Sequence, residues 1–308
     1  MNEKSQTRVS WEELLALAPM WLAFAWLISR VQWFWVHRPD LQFGWIVLLL
    51  CGFLIWDNWA KRPEALCKIR WPFLVFGLMG CALLFLVQIY HAAYGMMPAL
   101  LMGLCCAVYL VASANIHFLY GWKGLRFFAF PLLFFLIAMP MPSVLQVPIV
   151  NGLQQKVASV NVEVLNILGV PAERMGSVIR LPNGTVGVDE ACSGIRSLQS
   201  TVMATLFIGY LTLKTRGLQV ALFVCGVALA IFGNLIRSLY LSLTANAKGV
   251  QAIEKVHDSA GWSILIFTAV GVVILSWIFA KWEGWARAEA EKETHTEPKI
   301  ATPAPERL

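Results

Sequence analysis

The sequence has few charged residues. They account for 14% of its 308 residues, against about 25% in an average soluble domain. It also has no glycine-rich nucleotide motif, and its His and Cys residues do not recur at zinc-ligand spacings. These absences exclude a soluble globular enzyme and a nucleic-acid-binding module, and they predict neither a metal nor a cofactor. The net charge of +6 is then read as a bias of the loops rather than a nucleic-acid-binding face.

Long apolar stretches are abundant, since 58% of the residues are hydrophobic. A spanning helix needs about 20 mostly apolar residues. The sequence therefore predicts an all-α polytopic membrane protein with about eight transmembrane helices in contact with membrane lipid. The predicted spans lie at about 14–29, 41–56, 71–90, 96–116, 125–140, 195–213, 218–237 and 260–280.

The distribution of Lys and Arg predicts the orientation in the membrane. When the N-terminus is placed inside, 15 of the 24 Lys and Arg residues fall in inner segments, as the positive-inside rule requires. Eight spans then return both termini to the cytoplasm. We divide the chain into a membrane domain at 1–282 and a polar tail at 283–308, which we expect to be disordered because it cannot bury a core.

One long outer segment, at about 141–194 between spans five and six, predicts a small cap. Pro182-Asn183-Gly184 separates two β-prone runs and predicts a β-hairpin. Before the hairpin, apolar residues at helical spacing predict an amphipathic helix on the outer leaflet. These apolar residues are Ile149, Leu153, Val157, Val160, Val164, Ile167 and Leu168.

Cys192 differs from the other six cysteines, which lie in or beside apolar runs. It stands in a polar segment just before span six, followed by Ser193 as a helix N-cap and Gly194, which allows close backbone approach. A helix N-terminus favours a thiolate over a thiol, and Arg196 in the first turn adds positive charge. The alternative is that Cys192 is a buried packing residue.

Two further residues carry chemistry that suits a cysteine nucleophile. His257 precedes span eight, has an unperturbed pKa near 6.5 that suits proton transfer, and is followed by Asp258, which can orient it. Arg237 ends span seven, with Asn234 one turn earlier on the same face, and can stabilise an oxyanion. The alternatives are an ordinary interfacial His and an Arg that extends to the lipid headgroups.

The predicted topology brings these three residues to the same side of the membrane. Cys192, Arg237 and His257 fall at the outer ends of three successive spans, and together they form a working set for acyl transfer through a thioacyl-enzyme. By contrast, His37, His91 and His117 have no comparable polar neighbours. A stripe of small and polar residues on span six is interpreted as helix packing; it comprises Ser197, Ser200, Thr201 and Ala204.

Three motifs in this region resemble those of the exosortase/archaeosortase family. Residues 191–198 (ACSGIRSL) resemble its nucleophile motif, Asn234-Leu235-Ile236-Arg237 its arginine motif, and His257 with Gly261 its His-x3-Gly motif. The order of the three motifs also fits. The resemblance covers about 20–280; it is specific at about 185–265, with the motifs within 189–261, and only hydropathic before that.

The resemblance implies a multi-pass cysteine transpeptidase of the bacterial inner membrane, with its active site on the periplasmic face. Cys192 would be the nucleophile, Arg237 the transition-state stabiliser and His257 the general acid/base. The substrates would be exported proteins with a C-terminal sorting signal of the PEP-CTERM type, transferred to an unknown acceptor nucleophile. Such enzymes are often linked to exopolysaccharide and biofilm production.

Two other functions stay open on the sequence. A purely hydrolytic intramembrane protease would use the same thioacyl-enzyme, so residue types do not separate it from a transpeptidase. A non-catalytic scaffold or transporter for polysaccharide export needs no nucleophile, but a transport path needs more polar residues within the membrane than this sequence has.

Overall fold

A computed structural model of the protein describes residues 11–187 and 195–296. Eight α-helices and a three-stranded sheet make up these ranges. The helices are α1 (Trp11–His37), α2 (Gly44–Asn58), α3 (Trp71–Tyr94), α4 (Pro98–Phe135), α5 (Ser143–Ile167), α6 (Ile195–Thr212), α7 (Arg216–Lys248) and α8 (Gln251–Thr296). The strands, β1 (Glu173–Met175), β2 (Val178–Leu181) and β3 (Gly184–Gly187), are antiparallel in the order β1-β2-β3.

The helices confirm an all-α membrane protein. Each of the eight predicted spans falls on a helix, and α4 accounts for two of them because its backbone breaks at Gly121, where φ is +63°. Five helical segments within the described ranges are long and apolar enough to cross a membrane: those in α1, α3, α4, α7 and α8. The 15 residues of α2 would cover only about 22 Å, less than the roughly 30 Å hydrocarbon core.

An apolar core joins α1, α2 and α4. Trp35 is almost fully buried there, and its indole N–H donates a hydrogen bond to the Ala138 carbonyl at 2.8 Å. Gly44 starts α2 directly against this ring, since a Cβ on Gly44 would lie 2.3 Å from Trp35 Nε1. The turn between α1 and α2 is therefore fixed by tight packing on both sides.

Small residues allow α6, α7 and α8 to pack closely. A Cβ on Gly226 of α7 would lie 2.3 Å from Thr205 Cγ2 of α6, and one on Gly233 would lie 3.1 Å from Ile264 Cγ2 of α8. Van der Waals packing between such close backbones is a principal source of helix association in membranes. The predicted packing role of Thr201 on α6 agrees with this contact, because its Cγ2 would lie 3.4 Å from the same Gly226 Cβ.

The cap between α4 and α6 contains the predicted helix and hairpin, with β1 as an added strand. Its core joins Leu165 of α5 and Ile179 of β2 to Leu241 and Ala245 of α7. The Asn183 amide donates a hydrogen bond to the Asn246 carbonyl, and a Cβ on Gly184 would lie 2.6 Å from Val250 Cγ2. The hairpin therefore packs on the end of α7 and the turn between α7 and α8.

The structure contains the predicted helix as α5, which packs on the protein through one face. That face consists of Val150, Gln154, Val157, Ala158, Asn161 and Leu165. Four of the apolar residues predicted to face the outer leaflet, Ile149, Val160, Ile167 and Leu168, are exposed on the protein surface. Contact of these residues with lipid stays a prediction.

Helices α7 and α8 extend beyond the predicted spans. From Arg237, α7 continues to Lys248, and α8 begins at Gln251, six residues before His257. The extension exists because the cap buries Leu241 and Ala245 against it.

At its other end, α8 continues to Thr296, fourteen residues into the segment expected to be a disordered tail. Glu283 accepts hydrogen bonds from the backbone N–H groups of Lys214 and Thr215 and pairs with Arg287. The Ala, Glu, Lys and Arg residues that follow are strong helix formers.

Candidate active site

Arg237 and His257 are in contact between α7 and α8. Arg237 Nη2 lies 3.1 Å from His257 Nε2 and 3.5 Å from the His257 carbonyl oxygen. The two helices form an antiparallel pair joined at Gly249, whose φ of +83° suits a glycine at a helix end. Two of the three residues that the sequence placed in one constellation, Arg237 and His257, therefore meet across this pair.

The contact fixes the proton positions on His257. A guanidinium has N–H donors and no acceptor, so the Nε2 atom that faces Arg237 must accept. The neutral ring then carries its proton on Nδ1, which lies 3.3 Å from Asp258 Oδ1. Asp258 is 94% exposed, so it orients the ring from the solvent side.

Gly261 makes room for the guanidinium. It lies one helical turn after His257, on the same face of α8. A Cβ at this position would lie 3.4 Å from Arg237 Nη2, in van der Waals contact, so a side chain that extends beyond Cβ in this direction would compete with the guanidinium for space. The His-x3-Gly spacing thus has a steric explanation in the contact of Arg237 with α8.

Asn234 lies one turn before Arg237 and is almost fully buried. Gly233 and Ser238 are buried beside it in α7. A polar side chain at such a depth needs hydrogen-bond partners, and its position next to Arg237 is consistent with the supporting role expected from the sequence.

The Arg237–His257 pair lies in the wall of a cavity of about 260 Å³. Three of its walls come from α6, α7 and α8, and the fourth comes from the turn between α1 and α2. The lining residues are Pro39, Gln42, Ser197, Ser200, Arg237, His257, Asp258, Gly261, Trp262, Ile264 and Leu265.

Seven lining residues were not predicted as site residues; three of them, Trp262, Ile264 and Leu265, follow Gly261 in α8, and the other four lie elsewhere. Ser197 and Ser200 were assigned to helix packing, but both line the cavity. Their spacing of three on the helix that follows Cys192 was a usable signal, because it places both hydroxyls on one face. Pro39 and Gln42 lie about 150 residues earlier in the chain, and local sequence carries no signal for so distant a contact.

Several predicted site residues lie outside the residues that the structure describes. Cys192, Ser193 and Gly194 lie outside the described residues, and so do Asp189 and Glu190. Arg196 belongs to α6, but its side chain is not described. The described helix α6 begins at Ile195, three residues after Cys192.

The three comparison histidines do not line this cavity. The His37 ring stacks on Trp33 at a centroid distance of 4.6 Å. His117 is buried in α4, four residues before the break at Gly121, and its ring contacts Trp122 edge-on. Among the five histidines of the sequence, His257 is the one that the described structure places against an arginine in a cavity.

Comparison with known families and proteins gives one match. The model of the family described as transmembrane exosortase (Exosortase_EpsH) matches residues 35–275, well over half of the chain. No curated protein and no solved structure matches the chain. The matched range includes α2–α7, most of α8, and both helices that carry the Arg237–His257 contact. The chain therefore belongs to the transmembrane exosortase family, whose members act in general as membrane transpeptidases or proteases on exported proteins with sorting signals.

Proposed function

We propose that this protein is a cysteine transpeptidase that cleaves a C-terminal sorting signal and joins the exported protein to an acceptor. The observation that supports this most strongly is the 3.1 Å contact of Arg237 with His257 in a cavity wall. The same cavity is lined by the third and sixth residues of α6, Ser197 and Ser200. Cys192 precedes α6 by three residues, which reach at most about 11 Å, so we assign its thiol to this cavity.

In the proposed reaction, the hydrogen bond from Arg237 to His257 Nε2 opens, and Nε2 takes the thiol proton of Cys192. The sulfur attacks the carbonyl carbon of the scissile peptide bond, and the released N–H of Arg237 stabilises the resulting oxyanion. A guanidinium carries five N–H donors, so Arg237 can keep its contact with the His257 carbonyl oxygen while it donates to the oxyanion. The C–N bond then breaks, His257 gives its proton to the leaving amine, and a thioester with Cys192 remains.

The acceptor completes the cycle. An acceptor amine attacks the thioester carbonyl and loses a proton to His257, which returns it to the departing sulfur of Cys192. The products are a new amide bond and the free thiol. Water in place of the amine gives a carboxylic acid, which is the hydrolytic alternative.

Helix lengths support a site at the membrane boundary. Arg216 starts α7, and the rise from Arg216 to Arg237 is about 31 Å at 1.5 Å per residue, close to the roughly 30 Å hydrocarbon core. On α8, Asp258 and Lys281 bound a stretch without charged residues. A spanning substrate helix would present a peptide bond at this level. From the Lys and Arg distribution, we assign this boundary to the periplasmic face and both termini to the cytoplasm.

We further propose a tail of the PEP-CTERM type as the substrate and a role in exopolysaccharide or biofilm assembly. These assignments rest on the resemblance of the three motifs. The site itself supports only a peptide substrate that spans the membrane beside α6–α8.

The test is the processing of an exported reporter that carries a C-terminal sorting tail from the same organism, selected because wild-type cells process it. We expect Cys192→Ala to abolish the gel shift at equal membrane abundance. Cys225→Ala is the matched control, because Cys225 lies in α7 but does not line the cavity. The proposal would be overturned if Cys192→Ala processed the reporter as well as wild type. It would also be overturned if wild-type cells processed none of the sorting tails of the organism.

Mass spectrometry of the processed reporter then separates the two enzymatic alternatives. A transpeptidase leaves the reporter C-terminus joined to an acceptor, whereas a protease leaves a free carboxylate. If the protein is a non-catalytic scaffold, the reporter from cells with the Cys192→Ala variant is identical to the reporter from wild-type cells.

A further inference from the structure

The cavity at Arg237 and His257 has a wall that none of the three motifs supplies. Pro39 and Gln42 line it from the turn between α1 and α2, far along the chain from the helices that carry the proposed chemistry. This turn belongs to the half of the chain where the resemblance to exosortases was only hydropathic. A residue that lines the same cavity as Arg237 and His257, but takes no part in the proposed chemistry, is in a position to hold the substrate.

The turn is held in place by short-range hydrogen bonds. Arg38 binds both carboxylate oxygens of Asp40, at 3.2 and 2.9 Å. The Leu41 N–H donates to the Arg38 carbonyl at 3.0 Å, and the Gly44 N–H donates to the Leu41 carbonyl at 2.9 Å. A bidentate Arg–carboxylate pair adds geometric definition to this wall.

Gln42, an exposed residue of the turn, lies between two buried apolar residues. Leu41 and Phe43 are 2% and 9% exposed and join the core of α1, α2 and α4, whereas Gln42 between them is exposed. Because its neighbours on both sides are buried, the backbone of Gln42 is fixed and its side chain is directed away from that core. The side chain lines the cavity instead.

The chemistry of Gln42 suits a peptide main chain. A carboxamide offers both a hydrogen-bond donor and an acceptor without charge, which matches the N–H and C=O groups of an extended peptide. Pro39 next to it contributes an apolar surface without a backbone N–H. Arg237 and His257 line the same cavity, so a peptide bound by Gln42 and Pro39 would lie within the cavity that holds the charged and proton-transferring groups.

We propose that the α1–α2 turn is the substrate-binding wall of the site and that Gln42 hydrogen-bonds the substrate main chain near the scissile bond. The proposal rests on the proposed function, since it takes the substrate to be a peptide. It adds a residue from the N-terminal half to the site and assigns that residue to binding rather than to proton transfer or oxyanion stabilisation.

The first test is the kinetics of the Gln42→Ala variant with the reporter described above, in proteoliposomes at equal enzyme content. We expect KM to rise about 3- to 10-fold, the loss of one neutral hydrogen bond, with kcat within about twofold of wild type. Gln32→Ala is the matched control, because Gln32 is an exposed glutamine of α1 that does not line the cavity. A KM for Gln42→Ala equal to that of Gln32→Ala would overturn the proposal.

The second test needs no turnover. A photo-crosslinking amino acid is placed at position 42 in the Cys192→Ala background, and at Tyr94 as a control, since Tyr94 is an exposed side chain at the end of α3. We expect the reporter to be captured from position 42 and not from position 94. Equal capture from both positions, or none from position 42, would contradict the substrate-binding wall. Processing by Cys192→Ala would instead contradict the proposed function, so the two failures are distinguishable.

Discussion

The two halves of the molecule bury different kinds of side chain. Of the twelve polar or charged residues that are buried in the described ranges, ten lie in α5–α8 and two, Asn115 and His117, lie in α4. The core of α1, α2 and α4 is instead built from Leu, Val, Phe and Trp side chains. Both halves are apolar in composition, so the difference lies in what each half encloses.

This difference agrees with the proposal that the C-terminal half carries the chemistry and the N-terminal half supports it. A polar side chain within a membrane protein is costly, and such residues commonly mark functional sites. Asn234, Ser238 and Ser242 follow one face of α7 around Arg237, and the cavity opens at that level. The N-terminal half supplies a rigid frame and reaches the cavity through a single turn.

Replacement of His257 tests the chemical role of the C-terminal half most severely. We expect His257→Ala to lower kcat by about 10²- to 10⁴-fold, the range for loss of a general acid/base, with little change in thermal stability. The measurement is single-turnover processing of the reporter in proteoliposomes. His37→Ala, at the end of α1, should retain wild-type turnover. Equal losses of kcat in both variants would show that the C-terminal half has no special chemical role.

Arg237→Lys is expected to lower kcat by about 10²-fold, which is the lower end of the cost of losing an oxyanion donor. A lysine keeps the charge but lacks the planar fork that can contact His257 and an oxyanion at once. The same single-turnover assay applies, with Arg216→Lys at the other end of α7 as the control. Near-normal turnover of Arg237→Lys would refute the proposed role of the guanidinium.

The steric role of Gly261 predicts a smaller loss. In Gly261→Leu the new side chain would start 3.4 Å from Arg237 Nη2 and displace the guanidinium from His257. We expect kcat to fall about tenfold while the protein stays folded. Gly284→Leu in the same helix is the control, because a Cβ there would contact nothing within 4 Å. Unchanged kcat in the Gly261 variant would show that the guanidinium does not need this space.

A core substitution in the N-terminal half should lower stability and leave kcat unchanged. Leu104 of α4 is fully buried, and Leu104→Ala leaves a cavity that costs about 2–5 kcal/mol in soluble cores. We expect the melting temperature in detergent to fall while kcat at low temperature stays within about twofold. A large loss of kcat at a temperature where the variant is folded would mean that this core takes part in the chemistry.

Much of the fold was predictable because apolar length and turn chemistry are local properties. The eight apolar stretches lie on helices, and Pro182 and Asn183 form the turn between β2 and β3, which begins at Gly184. Apolar length does not predict how far a helix continues beyond its span. The cap packs on residues after Arg237, so α7 continues past the end of the predicted span.

The site was predictable only in part, for the same reason. Arg237, His257 and Gly261 follow a short-range pattern on two adjacent helices, and the structure places them together. Ser197 and Ser200 were assigned to packing because a stripe of small residues usually packs against another helix. Thr201 in the same stripe does lie next to Gly226 of α7. Gln42 could not be found, since its contact with the cavity depends on how α1 and α2 dock against α6–α8.

The most direct test of the central claim is detection of the thioester itself. The enzyme is mixed with the reporter, quenched in acid and digested, and peptides that contain cysteine are mapped by mass spectrometry. We predict that the new C-terminal residue of the reporter is attached to Cys192 by a hydroxylamine-sensitive bond, and that Arg237→Lys lowers its rate of formation. Attachment to another cysteine, or processing without any acylated cysteine, would contradict the account.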